Sequence, residues 1–571
     1  MDVRNMMATL VFTLYCCESP VNHTSILSLL KGEIMSKGKQ VPWLGMTGLG
    51  VIDPFCSTYD PCQENVAERT VNLVRDQQLS NSETRMQNDL HNHGVPSLAD
   101  QKMYEPPNPE HVHNQISEVA ELMRKNTSPC PLSSLEVVSN STSHEGGRKY
   151  STEEIIKLAG ERYIQLFTQG ANGFNMSIHP YDFSLAGLSL ADTRDVGLAH
   201  LLLDAAEKVA YQQFDEANGL LTRCGWMASD TGNPVQRIVF YFVQALRERI
   251  ARETGSTTNK SDHAKEKYIQ SLALGSNLTF LACHKQLPFN QVMQFAGIQT
   301  IIENVSMATK VHIIDIHIRS GVQWTALMQS LADRQNWPSL ELLKITAIGM
   351  MDKPNIEATG NRLMSFAKSL NLQFSFKIVF VSDMKELKED LFDIEADEVV
   401  AVYSQVILRS MISSPDCLEN LMSVIRRIKP SIMVVIEVEA NHNSPSFVNR
   451  FTETLFFYSA YFDCLEDYME RDNQYRMTLE GIYFRDGIQD MVATEGKERI
   501  ARNVKMNVWR AFFARFGMEE IELSSSSLYQ ANLVLKQFKC GSSCTFHSNG
   551  KSLIIGWKGT PLHSLSTWKF L

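Results

Sequence analysis

The chain has 571 residues, a formal net charge of −10 at pH 7 and 44% hydrophobic side chains. This composition is typical of a globular protein with a sizeable core, so it excludes a wholly disordered chain, a collagen-like fibre and a small disulfide scaffold. Residues 1–148 carry 11 basic and 17 acidic side chains, which leaves 43 and 47 in the remainder. Neither part therefore has the positive surface of an autonomous nucleic-acid-binding protein.

Cysteine usage and hydropathy indicate the cellular compartment of the chain and whether it enters a membrane. The 11 cysteines lack paired spacing, apart from the adjacent Cys16 and Cys17 and the Cys540/Cys544 pair, so a reducing compartment fits best. The apolar run 6–17 is followed by no small-residue cleavage pattern, and we interpret it as an ordinary segment rather than a signal peptide. No run of eighteen apolar residues occurs, so the sequence predicts no membrane-spanning helix and no membrane partner.

The N-terminal region is rich in proline and polar residues. Ten of the 19 prolines precede residue 132, among Ser, Asn, Gln and His. Such a segment cannot bury enough apolar surface to offset its conformational entropy. We therefore predict that residues 1–148 form a disordered, variable region and that residues 149–571 form the ordered domain.

The pattern over residues 151–305 is helical. Leu198, Leu202 and Val209 lie on one helical stripe, and Asn233-Pro234 supplies an N-cap and a first-turn proline. Leu198, Leu201 and Leu202 also fit an LxxLL docking motif, although the same leucines suit an ordinary packing face better. This part is predicted to form an α-helical cap.

Short apolar runs then alternate with helical patterns, which is typical of a parallel sheet covered on both faces. The predicted strands are 311–315, 343–348, 376–381, 398–402 and 432–438, and the predicted helices are 324–334, 361–370 and 418–428. Residues 306–571 are therefore predicted to form the α/β core, a doubly wound, Rossmann-like sheet.

The C-terminal part is predicted to contain helices at 498–516 and 528–538, with a short strand at 521–523 between them. A hairpin of 544–547 and 553–557 follows around Asn549-Gly550. Trp557 and Trp568 flank the next turn, and we expect their rings to close the edge of the sheet over the core.

The end of the first strand is the place to look for a nucleotide or adenosyl cofactor, because doubly wound sheets bind ligands beyond the carboxyl ends of their strands. Asp315 lies there, but the loop that follows it contains a single glycine, Gly321, where close approach of a cofactor needs two or three. Asp352, the first acidic residue after the next strand, lies 37 positions beyond Asp315 rather than about 20. We interpret Asp315 as a structural cap and Gln323-Trp324 as a packing anchor, and we predict no cofactor.

No other catalytic or metal-binding pattern is convincing. Cys540, Cys544 and His547 approach a zinc-ligand spacing, with His563 as a fourth ligand, but the paired knuckles of a structural zinc site are missing. The sequence contains no nucleophile elbow, phosphate-binding P-loop, HExxH or kinase signature. Neither an enzyme nor a metal site is predicted.

Three blocks of residues, in order along the chain, resemble the plant GRAS family. The first resembles its VHIID motif and consists of Val311, His312, Ile313, Ile314 and Asp315 with Gly321, Gln323 and Trp324. The second follows the PFYRE motif at Pro445, Phe447, Tyr458, Arg485 and Asp486. The third matches the SAW motif at Trp557, Ser566, Thr567 and Trp568. Asp486, Thr567 and His317 depart from the family pattern, and the resemblance covers about residues 150–571.

The resemblance implies a plant transcriptional regulator that is located in the nucleus, or in both nucleus and cytoplasm, and whose GRAS domain has a helical cap over a methyltransferase-like core. Such proteins bind DNA-binding transcription factors and pair with themselves or with other GRAS proteins, and their leucine-rich regions serve that pairing. Neither a DELLA motif nor its companion tyrosine motif occurs in residues 1–148, so gibberellin-triggered degradation is not implied. The sequence leaves two alternatives open: a methyltransferase that uses S-adenosylmethionine, and a protein that reads DNA directly.

Overall fold

The computed structural model describes residues 150–170, 188–256, 283–333, 338–350 and 352–571, with the side chains of 164–170 left aside. The predictions for residues 1–148 lie outside this range. In the described part of 151–305 the regular elements are helical, as predicted. They are α1 (Thr152–Gly170), α2 (Leu190–Ala210), α3 (Phe214–Met227), α4 (Pro234–Glu253) and α5 (Pro288–Asn304).

Local chemistry explains where α4 begins. The Asn233 side chain accepts a hydrogen bond from the Gln236 N–H, and the Gln236 side chain accepts one from the Asn233 N–H, each at 3.0 Å. Pro234 occupies the first helical position, where its missing N–H has no intrahelical partner in any case. Phe242 and Leu246, four residues apart on one face, are fully buried. The apolar stripe of α4 thus enters the core.

The centre of the fold is a sheet with strand order β3-β2-β1-β4-β5-β9-β8-β7, to which β6 adds by pairing with β9. Its first five strands are parallel. They are β1 (Lys310–Asp315), β2 (Leu342–Gly349), β3 (Phe374–Phe380), β4 (Glu398–Gln405) and β5 (Ile432–Val438). The connecting helices are α6 (Val322–Ala332), α7 (Lys353–Ser369), α8 (Leu408–Met411) and α9 (Pro415–Ile428). Buried clusters lie on both faces of the sheet, so the predicted doubly wound, Rossmann-like fold is confirmed.

Four more helices follow β5, and the first of them joins the helical layer. They are α10 (Phe447–Tyr468), α11 (Gln474–Thr478), which continues through a π-helical turn (Leu479–Phe484) into α12 (Arg485–Val492), and α13 (Met506–Arg515). Arg237 on α4 forms ion pairs with Glu466 at 2.8 Å and Glu480 at 3.2 Å. Phe242 packs edge-on against Phe451 on α10, with ring centroids 5.3 Å apart. The helical layer therefore draws on residues after 305 as well as before.

The chain ends in β6 (Met518–Ile521), α14 (Ser525–Leu535), β7 (Cys544–Asn549), β8 (Ser552–Trp557) and β9 (Thr560–Phe570). Here two expectations are corrected. The helix predicted from residue 498 begins at Met506, because Asp490 accepts the N–H groups of Ile500 and Ala501 and holds that stretch out of a helix. The tryptophans do not close a sheet edge, because β9, which carries Trp568, lies between β5 and β8.

A buried carboxylate joins the first helix to the C-terminal hairpin. Asp463 on α10 accepts hydrogen bonds from the N–H of Thr152 at 2.8 Å, from Trp557 Nε1 at 2.8 Å and from Lys558 Nζ at 2.6 Å. The two ends of the described domain are thus linked through one side chain. None of the described helices is long and apolar enough to cross a bilayer.

Candidate functional site at the carboxyl ends of the strands

Asp315 is the last residue of β1, and its carboxylate accepts hydrogen bonds from the loop that follows and from the first turn of α6. Its Oδ2 accepts hydrogen bonds from Trp324 Nε1 at 2.8 Å and Gln323 Nε2 at 3.3 Å, and its Oδ1 accepts one from the His317 N–H at 3.1 Å. Burial raises the pKa of Asp315 to about 7, although these hydrogen bonds act in the opposite direction. The carboxyl group therefore caps the loop and orients the first turn of α6.

The loop after β1 is closed by α7. Gly321 has φ +67°, and a Cβ added there would lie 2.8 Å from Thr359 Cγ2 and 3.2 Å from Leu363 Cδ1. The Thr359 hydroxyl donates a 2.9 Å hydrogen bond to the Arg319 carbonyl. The space beside this loop, where a Rossmann-type cofactor would place its phosphate or adenosyl group, is therefore occupied by side chains of α7.

Asp352, the residue immediately before α7, shares no hydrogen bond with Asp315. It is exposed, has φ +56° at the start of α7, and contacts the Asn355 side chain. Its position gives no support to a pair of carboxylates acting together.

A second polar group, which we name the strand-end cluster, consists of Gln294, Gln405, Glu437, Tyr461 and His563. Gln294 Nε2, on α5, donates to Gln405 Oε1 at 2.9 Å. Glu437 Oε1 accepts the backbone N–H groups of residues 407 and 408 at 3.1 and 2.8 Å, which caps α8. Tyr461 OH and His563 Nε2 are 2.5 Å apart.

The charges of the strand-end cluster are set mainly by burial. Burial raises the pKa of Glu437 to about 7, while the positive charge of Arg409 lowers it. Burial lowers the pKa of His563 to about 3, and the charges of Arg409 and Arg319 lower it further. His563 is therefore neutral at physiological pH. The cluster holds loops and helices in place, and it presents no charged, solvent-facing acid–base pair.

Sequence reasoning missed the strand-end cluster. A signal was present, since Glu437 interrupts an otherwise apolar strand and Gln405 ends another. Gln405 is bonded to Gln294 on α5, and Tyr461 on α10 is bonded to His563 on β9, so no local pattern links the members of the cluster. Within the described ranges, no group of three or more His, Cys, Asp or Glu side chains is arranged to hold a metal ion.

The VHIID and SAW residues are mostly buried structural groups. His312, in the middle of β1, hydrogen-bonds through Nδ1 to Glu398 at 2.9 Å and through Nε2 to Thr346 at 2.8 Å. The remaining residues of these two motifs, Gly321 included, are buried. In the SAW block, Trp568 Nε1 donates to Ser566 Oγ at 2.9 Å and Thr567 Oγ1 donates to the carbonyl of Ile521 at 2.6 Å.

The PFYRE residues line the junction of α10 with the helical layer. The guanidinium carbon of Arg249 lies 4.0 Å from the centroid of the Phe447 ring, and Tyr458 packs on the ring of Phe484. Arg485 and Asp486 form an adjacent ion pair at 3.1 Å, and Pro445 is exposed just before α10. The structure therefore places the three motifs in one domain but not in one cleft.

The candidate docking helix requires a correction. Leu198 and Leu202 on α2 are buried in the core and Leu201 is half-buried. The packing stripe of an amphipathic helix uses the same spacing as LxxLL, and here the stripe faces inward. A partner can reach α2 only through its exposed positions and the turn that follows, where Gln212 and Gln213 are exposed.

Comparison with known proteins identifies the family. Residues 198–569, which contain all three sequence motifs, match the model of the GRAS domain family. The chain belongs to this family. It is 30% identical over 421 residues to the DELLA protein GAIP-B of Cucurbita maxima, covering 72% of this chain and 68% of that protein. The DELLA protein RGL1 of Arabidopsis thaliana is 30% identical over 389 residues, with 68% and 73% covered.

A solved structure supports the same assignment. The structure of SCL7 from Oryza sativa matches with a TM-score of 0.57 and 27% identity, covering 65% of this chain and 99% of that one. The resemblance predicted from the motifs is thus confirmed, and the absence of a DELLA motif is consistent with a GRAS member of another subfamily. GRAS proteins are plant transcriptional regulators, and this general description applies to the chain.

Proposed function

We propose that this GRAS protein regulates transcription in the nucleus by binding DNA-binding transcription factors and other GRAS proteins, in homo- or heterodimers, without catalysing a reaction. The observation that carries the proposal is that the Asp315 carboxylate is satisfied by groups of the following loop and of α6. A ligand at that position would have to displace α7 side chains and break hydrogen bonds that are already made. We therefore assign the function to partner contacts on the outer surface of the domain.

Charge supports indirect contact with DNA. Residues 149–571 carry 43 basic and 47 acidic side chains, a formal balance of −4. Release of counterions from phosphates dominates DNA affinity and requires a concentrated positive surface. Recruitment through a partner that reads the bases avoids this requirement.

The helical layer offers one partner surface near the end of α3. Trp226 there is 81% exposed and is followed by the exposed Met227. Large aromatic side chains are enriched among residues that dominate binding energy at interfaces. We assign partner contacts to this end of α3 and to the exposed turn at Gln212 and Gln213, rather than to the buried leucines of α2.

The decisive test is a reporter assay on a target promoter, with and without a co-expressed DNA-binding factor. We expect activity only in the presence of the factor, and we expect the Trp226→Ala variant to lose it. Tyr529→Ala is the matched control, since Tyr529 on α14 is a 62% exposed aromatic residue far along the chain. Equal loss of activity in both variants, or activity without the factor, would contradict the proposal.

Two binding measurements separate the alternatives. A gel-shift titration with the full chain at physiological salt should show no tight, sequence-selective complex, and such a complex would favour a direct DNA reader. Calorimetry with S-adenosylmethionine should show no binding below millimolar ligand. Saturable micromolar binding that the Asp315→Ala variant loses would favour an enzyme.

A further inference from the structure

Strand β3 forms one edge of the sheet, and no strand in the described part of the chain pairs with its outer side. The Leu343 N–H donates to the Gln373 carbonyl, and the Val381 N–H donates to the Gly349 carbonyl. In a parallel strand, successive residues direct their backbone groups alternately to the two neighbours. The odd-numbered residues of β3 therefore face β2, and the N–H and C=O groups of the even-numbered residues, from Phe374 to Phe380, point outward.

The same even-numbered residues form an apolar row on the α7 side of the sheet. Phe376 lies against Gly360 of α7, and Phe374, Phe376 and Ile378 are half-buried. Phe380 is 46% exposed, and Met364 on α7 is 45% exposed. A cavity of about 420 Å³ opens at the start of the strand, lined by residues that include Met364, Phe374 and Lys368. The unpaired backbone edge thus runs beside a row of apolar side chains, and the cavity lies at one end of that row.

The opposite edge of the sheet is built differently. The last three residues of β7, His547 to Asn549, are polar and exposed. Natural sheets usually protect their edges with such polar residues, with charges or with short strands. On β3 the one charged residue, Lys377, is paired with Asp393, on the face of the sheet opposite the apolar row. The outer edge of β3 is therefore unprotected on its apolar side.

We infer that the β3 edge binds an extended segment of a partner protein as an additional strand. An extended segment can pair with the whole row of outward N–H and C=O groups, and its alternate apolar side chains would pack beside the row from Phe374 to Phe380. Lys368 lines the cavity without an ion-pair partner among the described residues, so the segment carries an acidic residue at this end. The inference relies on the proposed function only for the source of the segment, which is a protein partner.

The test begins with a display library of peptides of about eight residues, a common strand length. Apolar and polar positions alternate in the library, and one terminal position is Asp or Glu. Selection uses the full chain, with the Ile378→Pro variant as the competitor. The Ile378 N–H points outward, so proline removes one outer donor and leaves the ladder with β2 intact. We expect peptides that prefer the wild-type chain, with binding about fivefold weaker to the variant, since one hydrogen bond contributes about 1 kcal/mol.

Hydrogen exchange of the complex gives a second readout that depends on register. Bound peptide should slow exchange of the amides of Phe376 and Ile378, while the neighbouring odd-numbered amides, already bonded to β2, change little. Phe380→Lys should abolish binding. Val508→Lys is the matched control, because Val508 on α13 is similarly exposed at 47%.

Several outcomes would overturn the inference. One is that no selected peptide prefers the wild-type chain. Another is that peptides bind equally well when proline replaces the residues whose N–H groups would face β3. A third is that the bound peptide protects amides outside β3. A concentration-dependent dimer that the Ile378→Pro variant loses would mean that the occupant is a second copy of this chain. Because none of these measurements uses promoter activity, they can fail while the proposed function stands.

Discussion

The Glu437→Gln substitution tests whether the strand-end cluster stabilises the fold without contributing charge chemistry. Glu437 Oε1 accepts both hydrogen bonds that cap α8, and its buried Oε2 has no hydrogen-bond partner among the described atoms. The glutamine oxygen can keep both hydrogen bonds while its amide removes the buried charge. Burial raises the pKa of Glu437 from 4.5 to about 7, so the native state holds a proton that the unfolded chain releases above pH 4.5.

The sign of the effect follows from this difference in proton binding. As pH rises from about 4.5 to about 7, the wild-type chain loses stability relative to the variant, and the gap is constant above that range. At about 1.4 kcal/mol per pKa unit, the free energy of unfolding of the glutamine variant should gain about 2–3 kcal/mol on that of the wild type between pH 5 and pH 8. Urea denaturation of both proteins at the two pH values measures this change. A gap that does not change with pH, or one that moves in favour of the wild type as pH rises, would refute the reasoning.

Three further substitutions probe packing and the ends of the domain. Trp568→Ala should lower the free energy of unfolding by about 3–5 kcal/mol in a denaturant titration, because it empties a buried ring site. Asp463→Ala should make α1 sensitive to limited proteolysis, whereas Asp467→Ala, which removes a more exposed carboxylate nearby, should leave the digestion pattern unchanged. Gly321→Ala should cost about 1–3 kcal/mol more than Gly496→Ala in thermal unfolding, since both glycines have positive φ but only the first has neighbours that a Cβ would overlap.

The parallel strands could be predicted from the sequence to within a few residues, because each contains a short apolar run, which is buried on both faces in all of them except the edge strand β3. The start of α7 could be predicted less accurately. The helix was predicted from residue 361 but begins at Lys353, because its first turn consists mainly of exposed polar residues and has no apolar stripe. Strand β9 was similarly hidden, since Ser564, Ser566 and Thr567 mix with its apolar residues although all three are buried.

The structural role of Asp315 could be predicted because its loop and its partners lie within ten residues along the chain. The strand-end cluster could not, because Gln294 and Gln405, or Tyr461 and His563, are more than a hundred residues apart. Leucine spacing on α2 was ambiguous for a different reason. A docking stripe and a packing stripe have the same period, and only the fold decides which way the stripe faces.

Doubly wound sheets usually bind ligands at the carboxyl ends of their strands because the loops there are free to shape a site. In this chain, Asp315 at the end of β1, Gln405 at the end of β4 and Glu437 in β5 already accept hydrogen bonds from neighbouring elements. Releasing any one of these acceptors would leave a buried donor unsatisfied at a cost of about 1–3 kcal/mol, which an incoming ligand would have to recover. The outward groups of β3 are bonded to no protein atom of the described chain, so a partner strand can bind there without breaking an existing hydrogen bond.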